Sequence, residues 1–381
     1  MRRSTYRLFG NYASAWSDMN LGQYLLNTVV QAGGAWVLQI VLCTARIDSA
    51  ALLVKNSHLP DMVLGGRPGA GDAYADHDGV HDIYRAWRRV AEEYPDRALI
   101  GEIWLPDTER FARYLRGDEL HVAFNFDFLC CPWDAERLRA RVDATLAAHQ
   151  PVGAPATWVL SNHDVVRHVT RYGRADTSFD MGDRRIGEPT DLALGERRAR
   201  AAALLTLRLP GGAYSYQGEE LGLAEVEDLP DAARQDPIWQ RSGHTDFGRD
   251  GCRVPLPWSG GHQPFGFSPD GATGEPWLPQ PASWADRTVQ AEAARRDSML
   301  ALYREALHIR RGRRELGDGP MTWLPSAPGV LAFSRGEGFA CVVNLGRGPA
   351  DLPSHKEVLV VSHQLVEGKL PAGHGGVAGD G

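Results

Sequence analysis

The sequence predicts an α/β protein in which a series of βα units is followed by a small antiparallel β domain. Three observations lead there. From Arg46 onward, short apolar runs ending in polar residues alternate with charged amphipathic stretches, which is how successive strands and helices read. Stretches 80–94 (VHDIYRAWRRVAEEY), 135–148 (AERLRARVDATLAA) and 195–207 set apolar residues three and four apart among Arg and Glu, the spacing of helices that cover one face of a sheet. Near the end, MTWL, GVLAFSR, GFACVVNL and KEVLVVS alternate between Gly and Pro residues, as antiparallel strands do.

Strands are expected at 40–47, 98–103, 122–128, 157–161 and 213–216, with a long helix at 290–311. Residues 225–281 are rich in Pro, Gly, Trp and Asp with little periodicity, and their aromatic content reads as a structured loop region that lines a site rather than as a linker. The 381 residues, at roughly 150 per domain, suggest one large domain and one small one. The expected division is a diverged or degenerate, compositionally foreign N-terminal segment at 1–45, the larger α/β domain at 46–314, the β domain at 315–371 and a disordered Gly-rich tail at 372–381. The first segment stands apart because Asp18 is its only charged residue between Leu8 and Ala45.

Composition narrows the function. The 41 Lys and Arg against 48 Asp and Glu leave a net charge of −7, the wrong sign for a phosphate-backbone binder, so no nucleic-acid partner is expected. The apolar run from Trp36 to Cys43 is about half the length of a membrane span and contains Gln39, so no membrane partner is expected either. The basic start has no apolar stretch behind it and does not read as a secretory signal. Cys43, Cys130, Cys131, Cys252 and Cys341 form no CxxC pair, which predicts neither a disulfide framework nor a zinc site and points to a reducing, cytoplasmic setting.

The informative feature is a set of acids at the ends of successive strands: Asp48 in TARIDSA, Glu102 in LIGEIW and Asp164 in VLSNHD. In a closed barrel of parallel strands the C-terminal strand ends meet at one mouth, so residues distant in sequence face one cavity. Retaining glycoside hydrolysis uses such a set, with one carboxylate attacking the anomeric carbon and a second carboxyl, about 5 to 5.5 Å away, serving as acid and then base. Arg46, two residues before Asp48 on the same strand face, is expected to keep the nucleophile ionised. Each residue alone has a blander reading: Asp48 as a helix cap, His163 and Asp164 as parts of a turn.

At these residues the sequence resembles the α-amylase superfamily, glycoside hydrolase family 13, in its α-glucosidase and oligo-1,6-glucosidase group. The stretches that carry the resemblance are RIDSAALLVKNSHLPD, LIGEIWLPD, HVAFNFDFL, VLSNHDVVRHVTRYG, YSYQGEELGL and DPIWQRSGHTDFGRDGCRVPLPW. The resemblance implies a partial (β/α)8 TIM barrel, about strands 4 to 8, followed by a small antiparallel β-sandwich domain. It also implies Asp48 as nucleophile, Glu102 as general acid/base, Asp164 as the carboxylate that stabilises the transition state, and Arg46 and His163 in the sugar pocket, with no cofactor and no metal.

Two departures accompany it. Family members carry about three further βα units before the nucleophile strand, and the usual Gly-Phe before the arginine is replaced by Thr44 and Ala45. Ser49 stands at the position associated in this group with linkage preference. The expected function is retaining hydrolysis of short oligosaccharide or disaccharide α-glucosides. The alternatives are an inactive truncated remnant or non-catalytic amylase-fold binding protein, and a transglycosylase such as a trehalose synthase. An oligomer is one way to cover the open edges of a partial barrel.

Overall fold

The computed structural model describes residues 44–58, 60, 73–269, 271–336 and 338–379. Residues 1–43, and with them nearly all of the segment expected to be foreign, lie outside the described residues. The described chain forms two compact units, one running to Glu102 with 118–122 added, the other made of 103–117 and 123 onward.

The first unit is a βαβ crossover. β1 (Thr44–Ile47) and α1 (Gly79–Glu92) lead to β2 (Ala98–Gly101), which pairs parallel to β1 with Arg46 opposite Ile100 and Ile47 opposite Gly101. α1 is held by the buried Tyr84, whose hydroxyl donates to the Ala50 carbonyl, and by a buried acid. That acid, Glu119, meets His81 Nδ1 at 2.7 Å and Arg85 Nη1 at 3.1 Å, a pairing that buried carboxylates need. The His121 N–H donates to the Leu99 carbonyl and so returns the chain alongside β2.

The second unit opens with α2 (Thr108–Arg113). After β3 (Val122–Ala123), the expected strand at 122–128 stops early, because the Asn125 side chain accepts from Phe128 N and starts the short helix α3 (Phe126–Leu129). A side-chain oxygen that satisfies a free helical N–H outcompetes strand propensity there. α4 (Ala135–His149), capped by Asp134, leads to β4 (Thr157–Val159). Then come α5 (His168–Tyr172), α6 (Leu192–Thr206) and β5 (Gly212–Tyr214), which pairs parallel to β4. Among its described residues the loop region contains the short helix α7 (Pro237–Arg241) and otherwise only single turns.

The single helix expected at 290–311 is two, α8 (Val289–Ala293) and α9 (Met299–Gly312). The buried Glu292 side chain accepts from Leu300 N at 3.2 Å while Ser298 caps α9 through Ala301 N at 3.0 Å, so the break is built from side-chain acceptors that periodicity does not register. One core runs from Trp158 on β4 through the alanine-rich α6 to Phe333, Cys341 and Val377.

The C-terminal domain is a five-stranded antiparallel sheet of order β6-β7-β8-β10-β9, from Met321–Trp323, Val330–Arg335, Phe339–Asn344, Glu357–Val361 and Gly375–Gly379 in chain order. The Gly-rich end expected as a disordered tail is therefore an interior strand, β10, buried throughout and paired on both sides. The correction has a steric reason. A Cβ on Gly375 would stand 3.3 Å from the Ala201 backbone of α6, and one on Gly379 3.1 Å from Leu359, so glycine here permits close approach rather than marking a linker. Gly375→Val is expected to cost about 1–3 kcal/mol by overpacking, read from the midpoint of urea unfolding, and an unchanged midpoint would contradict this packing.

Among the described residues no helix is long and apolar enough to cross a membrane. Burial also shifts the titration of several ionisable groups in the second unit. Fully buried Glu219 accepts from Ser215 at 3.2 Å and Tyr303 at 3.3 Å, and burial pushes its carboxyl up to about 8. Burial likewise pushes Glu225 up to about 7 and the His168 imidazole down to about 3. Between about pH 6.5 and 8 the native state therefore holds protons on these glutamates that the unfolded chain has lost, and stability falls as pH rises. His168, neutral in the fold but partly protonated in the unfolded chain near pH 6.5, adds a smaller slope of opposite sign that fades toward pH 8. Chemical unfolding at pH 6.5 and pH 8 is expected to show this fall, and Glu219→Gln, which mimics the protonated acid, is expected to shrink it.

Candidate active site

The sheet register of the first unit builds half of the expected site. Asp48 and Glu102 each follow the last residue of their strands, and the backbone ties the two ends together: Glu102 N donates to the Ile47 carbonyl and Ala50 N to the Glu102 carbonyl, both at 2.9 Å. Ser49 takes the left-handed conformation, φ 49° and ψ 42°, which ends the strand and turns the chain immediately after Asp48. Non-glycine residues rarely occupy that region, so the turn is a local strain at the site itself.

Glu102 is buried and Asp48 is largely exposed. The Arg46 guanidinium pairs with the Glu102 carboxylate and lies 3.5 Å from Asp48 Oδ1. The sequence assigned Arg46 to Asp48; the geometry has it bridge both acids and sit closer to Glu102. Burial pushes the Glu102 carboxyl up, the neighbouring Asp48 side chain pushes it further, and Arg46 opposes both, leaving it at about 7. A carboxyl poised there gives and takes protons at neutral pH, the property a general acid/base requires.

Asp164 and His163 belong to the second unit, in the loop after β4. Asn162 Oδ1 accepts from Asp164 N at 2.8 Å, so the turn expected from Asn-His-Asp is present and serves to aim the acid. Asp164 Oδ1 accepts from Arg249 Nη1 and Arg253 Nη2, both at 2.9 Å, while Oδ2 faces His163 Nε2 at 3.3 Å. Arg184 donates to the Asp164 carbonyl at 2.7 Å and Arg253 Nε to the His163 carbonyl at 2.8 Å. The carboxylate is thus surrounded by cationic donors on one oxygen and an imidazole on the other.

Arg249 and Arg253 were not singled out from sequence, although both lie in the stretch DPIWQRSGHTDFGRDGCRVPLPW. The available signal was the glycine pair around Arg249-Asp250. A Cβ on Gly248, whose φ is +68°, would stand 2.7 Å from Asp236 Cβ, and one on Gly251 2.4 Å from Glu225 Oε1. Glycines so placed let a charged loop pack against buried acids. The second acid, Asp250, is fully buried and its Oδ2 accepts from Gln235 N and Asp236 N at 2.6 and 2.9 Å. Among the described residues no group of three or more His, Cys, Asp or Glu is arranged to hold a metal ion.

The chain is similar to proteins of one known family. The alpha amylase catalytic-domain family matches residues 16–319, reaching back into the segment expected to be foreign. A probable alpha-glucosidase of Rhizobium meliloti (strain 1021) is 31% identical over 418 residues, covering 96% of this chain and 70% of the relative. An oligo-1,6-glucosidase of Heyndrickxia coagulans is 24% identical over 76% of this chain and 55% of its own length. Among solved structures, the alpha-glucosyl transfer enzyme XgtA superposes with a TM-score of 0.70 at 26% identity, over 88% of this chain and 63% of that one. The chain thus spans between about half and 70% of the length of these relatives.

The electrostatics of the first unit are directly testable. Asp48→Asn removes a neighbour that raises the Glu102 carboxyl, so its titration midpoint is expected to fall below about 7, whereas Arg46→Gln removes the opposing cation and is expected to raise it. Carbon-13 NMR of the Glu102 carboxyl follows both, and equal midpoints in the three proteins would rule out the coupling.

Proposed function

Because the chain belongs to the alpha amylase catalytic-domain family, with the fold of a partial (β/α)8 barrel followed by an antiparallel sheet, we propose that it cleaves short α-glucosides with retention of configuration. The observation that carries the reading is the buried Glu102 carboxyl, held near neutrality, beside the exposed Asp48 and bridged to it by Arg46.

In the proposed reaction the Asp48 carboxylate forms a bond to the anomeric carbon as the glycosidic bond breaks, and Glu102 gives its proton to the departing oxygen. Glu102, now ionised, takes a proton from water. The resulting hydroxide-like oxygen bonds the anomeric carbon and Asp48 leaves. Asp164 supplies negative charge to the oxocarbenium-like transition state, and His163 a nitrogen for a sugar hydroxyl. Family membership and the α-glucosidase relatives support an α-glucoside as substrate. The likeness to an alpha-glucosyl transfer enzyme supports a second reading, in which a sugar hydroxyl replaces water in the second step. The free thiols of Cys131, Cys252 and Cys341 support a reducing, cytoplasmic setting.

Purified protein is expected to release the aryl group from an aryl α-glucoside, with kcat/KM falling above about pH 7 as Glu102 loses the proton it must donate. Glu102→Gln is expected to lower kcat by about 10²–10⁴-fold, and Asp48→Asn to abolish turnover. No release from folded parent protein would sink the hydrolytic reading in favour of a non-catalytic remnant. With maltose, glucose alone indicates hydrolysis, and a new disaccharide or trisaccharide indicates transfer.

A further inference from the structure

We infer that Asp236, outside the expected set of site residues, is a positioning residue that aims Arg249 at Asp164. The inference rests on the proposed role of Asp164 as the carboxylate facing the sugar. Its foundation is the shape of the guanidinium group. That group is planar and rigid, so fixing two of its nitrogens fixes the direction of the third. Asp236 takes one edge of Arg249 in bidentate fashion, with Nε to Oδ2 at 2.6 Å and Nη2 to Oδ1 at 3.1 Å. The remaining nitrogen, Nη1, is the one that reaches Asp164 Oδ1 at 2.9 Å.

Asp236 is itself over-determined, which a locating group must be. Its side chain is fully buried. Oδ1 caps α7 by accepting from Ile238 N at 3.0 Å, and Oδ2 also accepts from Arg249 N at 2.9 Å. Its own N–H is held by the Asp250 carboxylate. The two segments therefore clamp each other reciprocally: the acid at 236 binds backbone and side chain at 249, and the acid at 250 binds backbone at 235 and 236. Gly248 closes the contact, since any Cβ there would strike Asp236. Although burial raises it, the Asp236 carboxyl is held down at about 2 by Arg249 and the backbone donors, so the fork stays charged across the working pH range. Arg253 has a different anchor, the His163 carbonyl, and does not depend on this clamp.

The design of the test follows from the double duty of Asp236. Asparagine caps helices as well as aspartate does, but its amide nitrogen, placed at Oδ2, meets two donors of Arg249. Asp236→Asn thus keeps the cap and loses the clamp, and Asp236→Ser, which also caps, is the second variant should the first fail to fold. Crystal structures of the variants are expected to show α7 intact and Arg249 Nη1 out of hydrogen-bonding reach of Asp164. On an aryl α-glucoside, kcat/KM is expected to fall about 10²-fold, the scale of a misplacement near 1 Å, with the loss mainly in kcat and measured well below the variant's lowered melting temperature. Combined with Arg249→Met, Asp236→Asn is expected to add no further loss, because both act through one group. Arg249 still seated on Asp164 in the variant crystals, or additive losses in the double variant, would overturn the inference. An inactive parent protein refutes the hydrolytic reading alone, and the crystallographic result then decides the positioning role by itself.

Discussion

A carboxyl group that ends a parallel strand and is taken out of water must keep its proton or find a cation, and Glu102 is held between the two. Desolvation favours the acid and Arg46 favours the carboxylate, and the result is a group whose charge changes near neutrality. That balance depends on the β1–β2 register. With Ile47 opposite Gly101, the next residues of the two strands emerge side by side, and backbone hydrogen bonds from Glu102 N to Ile47 and from Ala50 N to Glu102 lock them there. A slip of one residue would move Glu102 to the opposite face and leave Arg46 with Asp48 alone. The strained turn at Ser49 is tolerated because these same hydrogen bonds over-determine it.

Asp164 shows the other solution to the same problem. Its charge is met by Arg249 and Arg253 on one oxygen, with His163 at the other. One acid is tuned by burial opposed by a single arginine, the other is surrounded by cationic donors. Such a division of environments is how a fold gives two carboxyls different chemistry. The two acids thus differ in kind, and the difference lies in what each is packed against rather than in the residues next to it in sequence.

That distinction explains how far the sequence could be read. Strand and helix existence was legible wherever an apolar period ran uninterrupted, as in α1, α4 and α6. The acids at strand ends were legible because an acid flanked by LIG and IW has few bland explanations. What was not legible depends on contacts between distant segments. Asn125 and Ser298 reset their elements through single side-chain hydrogen bonds. Gly375 and Gly379 belong to a strand because α6 and β9 press against them, yet by composition they read as a flexible end. Arg249 and Arg253 meet an acid 85 and 89 residues away, a separation no local pattern encodes.

The GRDG loop makes the same point at finer scale. Read alone, Gly248-Arg249-Asp250-Gly251 is a turn with two charges. In the fold each residue answers to a separate constraint: Gly248 to the side chain of Asp236, Arg249 to two acids at once, Asp250 to two backbone N–H groups, and Gly251 to Glu225 and the Val226 carbonyl. Arginine is the residue that suits its position, since lysine, with a single ammonium, lacks the planar fork that lets one partner orient the contact with another. Charge at the site is therefore placed by a chain of rigid groups, from buried backbone through Asp236 to Arg249 and Asp164. Each link removes a rotation that the next would otherwise keep.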